Sequence, residues 1–181
     1  MKTDMSKILV VGDLMIDHYL WGSCERVSPE APVQVVDVRK ETFALGGAGN
    51  VVNNLLALGS NVDVCSVIGL DETGADLIEM LDELGVDTKF IYQSSSRKTS
   101  KKSRIIASSQ QVLRYDNESK DSISTDEATM ILNSLQNMMK KYNAVILSDY
   151  GKGVLSDELC RGIIKLCSKN GVKVLVDPKG S

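Results

Sequence analysis

Gly46-Gly47-Ala48-Gly49-Asn50-Val51-Val52 stands between an alternating stretch, Val33-Gln34-Val35-Val36-Asp37-Val38, and an apolar helical pattern over about 47–58. Glycines at a helix start let a ligand come close to the backbone, where unpaired N–H groups and partial positive charge meet it. Two phosphate motifs are excluded by spacing. A P-loop needs Gly-x-x-x-x-Gly-Lys-Ser/Thr, and the dinucleotide fingerprint needs a third glycine where this chain has Val52.

Upstream, Ile8-Leu9-Val10-Val11 runs unbroken into Gly12-Asp13, the pattern of a central parallel strand covered on both faces. By contrast, Asp17-His18-Tyr19-Leu20-Trp21-Gly22 and Val33 to Val38 predict a small sheet with one open face, a strand flap on the main domain. Downstream, helical and strand patterns alternate: helix 47–58, strand 62–69, helix 74–84, and strand-like segments at 87–92, 99–107 and 111–115. A helix over 125–141 follows the capping box Ser124-Thr125-Asp126-Glu127. Ala144-Val145-Ile146-Leu147-Ser148 is a buried strand, Ser156 caps a helix that Gly171 stops, and Val172 to Val176 reads as an interior strand. This order predicts an α/β protein around a mostly parallel sheet, truncated at its C-terminal side because no element follows Val176.

The 181 residues, 43% hydrophobic and 25% charged, suit one globular domain or a large part of one. No apolar run reaches the roughly 18 residues of a membrane span, and the start lacks a signal peptide's cleavage region, which predicts a cytoplasmic protein without a membrane partner. A net charge of −3 gives no electrostatic reason to expect nucleic acid. Cys24, Cys65, Cys160 and Cys167 lack zinc or redox spacing and read as buried free thiols.

Asp13 and Asp149 each follow an apolar strand directly, at the end where open α/β sheets bind ligands, and Asp177 occupies an equivalent place. Helix capping or loop solvation accounts for any one of them alone. Ser148-Asp149-Tyr150-Gly151-Lys152-Gly153 sets an acid and a base around two glycines, as a close backbone approach to a polar ligand needs and as a plain turn also provides. In an extended 99–107 segment, Lys102, Arg104 and Ile106 share one face, placing two cations to grip one anion, with Arg114 beyond. A solvated surface strand has the same charge pattern. His18 is the single histidine and reads as a strand or surface residue, so hydrolase triads have no support.

Taken in order, Gly12-Asp13, Gly46-Gly47-Ala48-Gly49-Asn50, Ser148 to Gly153 and Asp177-Pro178-Lys179-Gly180 resemble the ribokinase-like, or PfkB, carbohydrate kinases over essentially the whole chain. Arg26-Val27-Ser28-Pro29-Glu30-Ala31-Pro32-Val33 and Gln110-Gln111-Val112-Leu113-Arg114-Tyr115-Asp116 are more specifically similar to the heptose 7-phosphate kinase branch, where the kinase is fused to a heptose 1-phosphate adenylyltransferase. The resemblance implies a ribokinase-like sandwich with a small β lid over about 14–23 and 33–44, helped by strands near 91–115, that supports homodimers, with residues 1–181 as the N-terminal part of the kinase domain. It implies transfer of the ATP γ-phosphoryl group, with Mg²⁺, to the anomeric hydroxyl of D-glycero-β-D-manno-heptose 7-phosphate, on the way to lipopolysaccharide cores. It implies that Asp13, Gly46, Gly47 and Asn50 hold sugar hydroxyls and that Arg26 closes the sugar pocket. Lys102, Arg104 and Arg114 would take the 7-phosphate, Asp149 and Lys152 would face the reacting end, and Asp177 and Lys179 would approach ATP and Mg²⁺. The family's catalytic base lies in a Gly-Ala/Thr-Gly-Asp motif that does not occur before Ser181, so this chain alone is expected to be inactive. Another sugar kinase of the same fold, or a non-catalytic sugar-phosphate-binding or dimerisation module, is the competing expectation.

Overall fold

The computed structural model describes residues 6–179. Nine strands and four α-helices are arranged among them as two sheets. The body sheet has five strands in the order β5-β4-β1-β8-β9, all parallel: β1 (Lys7–Gly12), β4 (Asn61–Gly69), β5 (Asp87–Ser94), β8 (Ala144–Ser148) and β9 (Lys173–Asp177). The lid has four strands in the order β3-β2-β6-β7: β2 (Leu14–Val27), β3 (Gln34–Gly47), β6 (Ser100–Ala107) and β7 (Gln110–Asn117). Within it β2 and β6 are parallel and the outer pairs antiparallel. The chain leaves the body twice for the lid, after β1 and after β5.

Helices cover both faces of the body. Helices α1 (Ala48–Ala57) and α2 (Glu72–Glu83) close one core with Val10, Val64, Val52, Leu77 and Leu81. Helices α3 (Thr125–Gln136) and α4 (Asp157–Asn170) close the other with Leu9, Val11, Val145, Ile131 and Ile163. Alternate residues of β1 thus feed opposite cores, which is why its sequence is apolar throughout. Each fully buried aliphatic side chain contributes about 1.5–3 kcal/mol, so these layers supply most of the favourable energy of folding.

Local signals end the helices where chemistry requires. The Ser124 hydroxyl accepts from the Glu127 amide at 3.2 Å while the Glu127 carboxylate accepts from the Ser124 amide at 2.8 Å, completing the expected capping box. Ser156 caps α4, and Gly171 ends it in the left-handed conformation at φ 68°. The helix expected over 125–141 stops at Gln136; Met139–Lys141 form a 3₁₀ turn that buries Met139.

The structure corrects some of these expectations and bears out others. The lid hairpin is longer than 14–23 and 33–44, because β2 and β3 stay paired to Val27 and Gln34 across two register shifts. Strand β9 lies at an edge of the sheet among the described residues, with Leu175 and Val176 more than half exposed. Cys65 and Cys167 are buried as expected, whereas Cys24 and Cys160 are only partly covered. His18 is a buried strand residue, its ring stacked on Phe43 at 4.6 Å and hydrogen-bonded to Ser103 and Glu41.

Candidate active site at the junction of body and lid

Strand order reverses about β1, so the carboxyl ends of β1 and β8 meet at the switch point of the sheet. Asp13 stands there, 1% exposed. Its carboxylate accepts from three backbone amides of the loop after β8: Tyr150 at 2.9 Å and Lys152 at 3.0 Å on Oδ2, and Val154 at 3.0 Å on Oδ1. The polar group that this glycine-containing loop approaches is therefore the chain's own Asp13. Gly151 and Gly153 adopt φ of 65° and 87°, and a Cβ on Gly153 would lie 2.0 Å from the Asp121 carbonyl oxygen. Asp13 organises the loop, and its three bonds explain its burial without a sugar hydroxyl.

The acid that faces outward is Asp17, on β2. A Cβ on Gly46 would lie 2.5 Å from Asp17 Oδ2, so the first glycine of the motif leaves room for that carboxylate. Gly47 has φ 57°, and its Cβ would meet the Asp13 carbonyl oxygen at 2.4 Å. Packing of the chain against itself is thus sufficient reason for both glycines. Helix α1 starts immediately afterwards without a side-chain cap; Ala48 N–H donates to the Asp13 carbonyl, and Asn50 is exposed on the first turn.

Register places the lid cations beside Asp17. Asp17 pairs with Lys102, Lys102 with Asp116, Tyr19 with Arg104 and Arg104 with Arg114, so these residues share one face. The predicted common face of Lys102 and Arg104 is present, but the two do not converge on one anion. Arg104 Nη1 bonds Asp17 Oδ1 at 2.6 Å and lies over the Tyr19 ring. Lys102 Nζ lies 3.0 Å from Asp116 and 3.2 Å from Glu118. Arg114 grips Asp116 through Nε at 3.1 Å and Nη2 at 3.2 Å. Partial burial works against the charge of Arg104, yet Asp17 raises its pKa. Carboxylates thereby neutralise a face whose like charges stand directly opposite one another.

Lys152 is buried, and its Nζ meets Glu118 at 2.7 Å. It does not point freely towards a reacting sugar. Asp149 is half-buried, accepts from the Gly151 amide at 2.8 Å, and donates its own N–H to the Asp177 carbonyl. Asp177 ends β9 in register with Ser148, and Lys179 Nζ lies 2.6 Å from where a Cβ on Gly151 would stand. The bare Gly151 thus leaves room for the Lys179 side chain at the carboxyl ends of β8 and β9, where Asp149 and Asp177 also stand. Arg26 stands nine residues along β2 from Asp17, a path of up to about 30 Å at the ordinary strand rise; its side chain is 68% exposed and its charged partner is Asp37 at 3.9 Å rather than a group beside Asp17.

Sequence reasoning missed Asp17, Arg97 and Glu118. A lone acid in Leu14-Met15-Ile16-Asp17 marked the first, and the period-two spacing of Arg114, Asp116 and Glu118 marked the last. Arg97 Nη2 donates to the Lys152 carbonyl, fastening the approach to β6 onto the body loop, a contact with no local signal. Burial lowers the Arg97 pKa against the opposing pull of Asp13, Glu127 and Asp121. Behind this contact is a cavity of about 10 Å³ lined by Asp13, Thr99, Ser100, Lys152 and others, room for about one water. A space of that size does not admit a sugar ring.

This combination of a doubly covered parallel sheet, a strand lid and a glycine turn beside Asp17 defines a carbohydrate kinase fold, and the chain belongs to the pfkB family of carbohydrate kinases, whose profile matches residues 5–181. It is 62% identical over 181 residues to the bifunctional protein HldE of Sulfurimonas denitrificans, covering 100% of this chain and 38% of that protein. It is 58% identical over 180 residues to that of Aliarcobacter butzleri, covering 99% of this chain and 38% of the relative. The chain thus spans well under half the length of these relatives. In fold it matches a carbohydrate kinase from Agrobacterium tumefaciens (TM-score 0.67, 18% identity, 95% of this chain and 53% of that one). It also matches the Arabidopsis thaliana ribokinase complexed with ribose and ATP (TM-score 0.64, 17% identity, 98% and 55%).

Proposed function

We propose that this chain forms the sugar half of a kinase that phosphorylates the anomeric hydroxyl of D-glycero-β-D-manno-heptose 7-phosphate, in the cytoplasm. The observation that carries the reading is the lid face on which Lys102, Arg104 and Arg114 stand beside Asp17, since a neutral sugar needs no such concentration of cations. Asp17 and the turn at Gly46 and Gly47, with Asn50, hold sugar hydroxyls; Lys102, Arg104 and Arg114 hold the 7-phosphate; Asp149 faces the reacting end. Asp177 and Lys179 lie towards the nucleotide phosphates and Mg²⁺. ATP supplies the transferred phosphoryl group, and the protein's part is to position it and neutralise charge. Proton removal from the sugar falls to a base outside residues 1–181. A coupled ATP-consumption assay of this chain should accordingly show no turnover; turnover would refute that assignment.

Pairing of every one of these lid cations with a carboxylate favours a second reading, a pfkB kinase for a neutral sugar. Calorimetric titration separates the two. Heptose 7-phosphate should bind at least about tenfold more tightly than unphosphorylated heptose or ribose if the cations engage its phosphate, whereas a preference for ribose would establish the neutral-sugar reading. Exposed apolar lid side chains, among them Trp21, Phe43, Leu113 and Tyr115, support association of two copies through the lid. Sedimentation should then give a dimer that Phe43→Glu dissociates.

A further inference from the structure

Glu118 lies one residue beyond β7, with its side chain 8% exposed. Its Oε2 receives ammoniums from both parts of the molecule: Lys102 of the lid at 3.2 Å and Lys152 of the body loop at 2.7 Å. Lys120, on the same segment as Glu118, approaches Oε1 at 3.4 Å. Among the described residues, the only other carboxylate paired with Lys102 is Asp116, and Glu118 alone pairs with Lys152. Burial by itself would raise the Glu118 pKa, but Lys152 and Lys102 bring it down to about 2, so the group is an anion throughout the physiological range.

Two nearly buried ammoniums that converge on one oxygen form an arrangement that a phosphate oxygen satisfies equally well. We propose that Glu118 is the resident counter-ion of an anion subsite made by Lys102 and Lys152, and that the phosphate carried by the sugar substrate takes its place. Glu118 is a positioning residue. It holds a lid lysine and a body lysine at one point before substrate arrives, and it excludes anions too weak to displace it. The proposal rests on the sugar-phosphate reading above and adds Lys152, which the structure turns away from the open site, to the phosphate-binding set.

Inorganic phosphate is the probe, titrated calorimetrically into the native chain and its variants, with circular dichroism as the check on folding. Glu118→Gln removes the competing charge and should bind phosphate about tenfold more tightly than the native chain. Adding Lys102→Met should abolish that gain. Glu118→Asp keeps the charge but withdraws it by one methylene, and should give about a threefold gain; it decides the matter if Glu118→Gln does not fold. A folded Glu118→Gln chain with no gain, or a gain that survives Lys102→Met, overturns the proposal. The parent reading is measured separately, by the ratio of heptose 7-phosphate to unphosphorylated heptose affinity in the native chain. A strong ratio with no gain in Glu118→Gln sinks only the counter-ion role, and a gain with no ratio sinks only the substrate.

Discussion

The body and the lid are built from strands of the same chain by different physics. In the body, β1 and β8 are covered on both faces, and side chains such as Leu9, Val10, Leu77 and Ile163 are fully buried. In the lid, β7 is exposed along its whole length, and the shared face is organised by the pairs Arg104–Asp17, Lys102–Asp116 and Arg114–Asp116. Ion pairs near solvent contribute little stability, typically up to about 1 kcal/mol, so the lid depends on the body and on strand register more than on its charges. On the reading proposed above, the charges instead prepare a surface that exchanges internal partners for a ligand, so that stability is concentrated in one region and recognition in the other.

The junction is where that division can be broken most severely. Asp13→Ala would leave three loop amides without their acceptor and should destabilise the chain by about 3–5 kcal/mol, read by urea unfolding. A loss under 1 kcal/mol would mean that the loop does not depend on Asp13. Truncation within each region sharpens the contrast. Leu77→Ala, in the body core, should cost about 2–5 kcal/mol, while Tyr115→Ala, on the half-exposed lid strand, should cost under about 0.5 kcal/mol. Equal costs would erase the distinction.

Gly46→Ala is expected to act on recognition more than on stability. Its new Cβ would press on the Asp17 carboxylate and disturb the Arg104 pair, lowering sugar affinity about tenfold by calorimetry with a smaller change in unfolding midpoint. The smallest effect is the pH response of the lid network. The pKa of Glu118 falls from an ordinary 4.5 to about 2 on folding, so the unfolded chain binds the proton more readily in that interval. The contribution of this group is complete above about pH 4.5 and is lost as pH falls through about 2; Asp116, also lowered, acts in the same direction. Glu118→Gln should flatten the fall in stability between these limits, and an unchanged slope would remove Glu118 from the account.

Much of the body was legible because one physical signal controls each element. Continuous apolarity gave β1 and β8, Ser124 and Ser156 gave helix starts, and Gly171 gave a helix stop. Alternation in 99–107 also gave the correct faces of β6. Which groups would meet was not legible. Asp13 looked like a ligand residue because its position at a strand end is visible in sequence, while its three amide partners come from the loop at 150–154. Lys102 and Lys152 looked like free cations because Glu118 joins them only after the lid has folded back over the body. Arg26 was drawn into the site by motif likeness, although strand geometry carries it to the far end of the lid.

The central claim is that the sugar phosphate is held jointly by lid and body. Hydrogen exchange of the chain with and without heptose 7-phosphate tests it most directly. The account predicts added protection both in the lid, over residues 100–104 and 114–118, and in the body loop at 149–153; protection confined to one of the two, with the other unchanged at saturation, would contradict it.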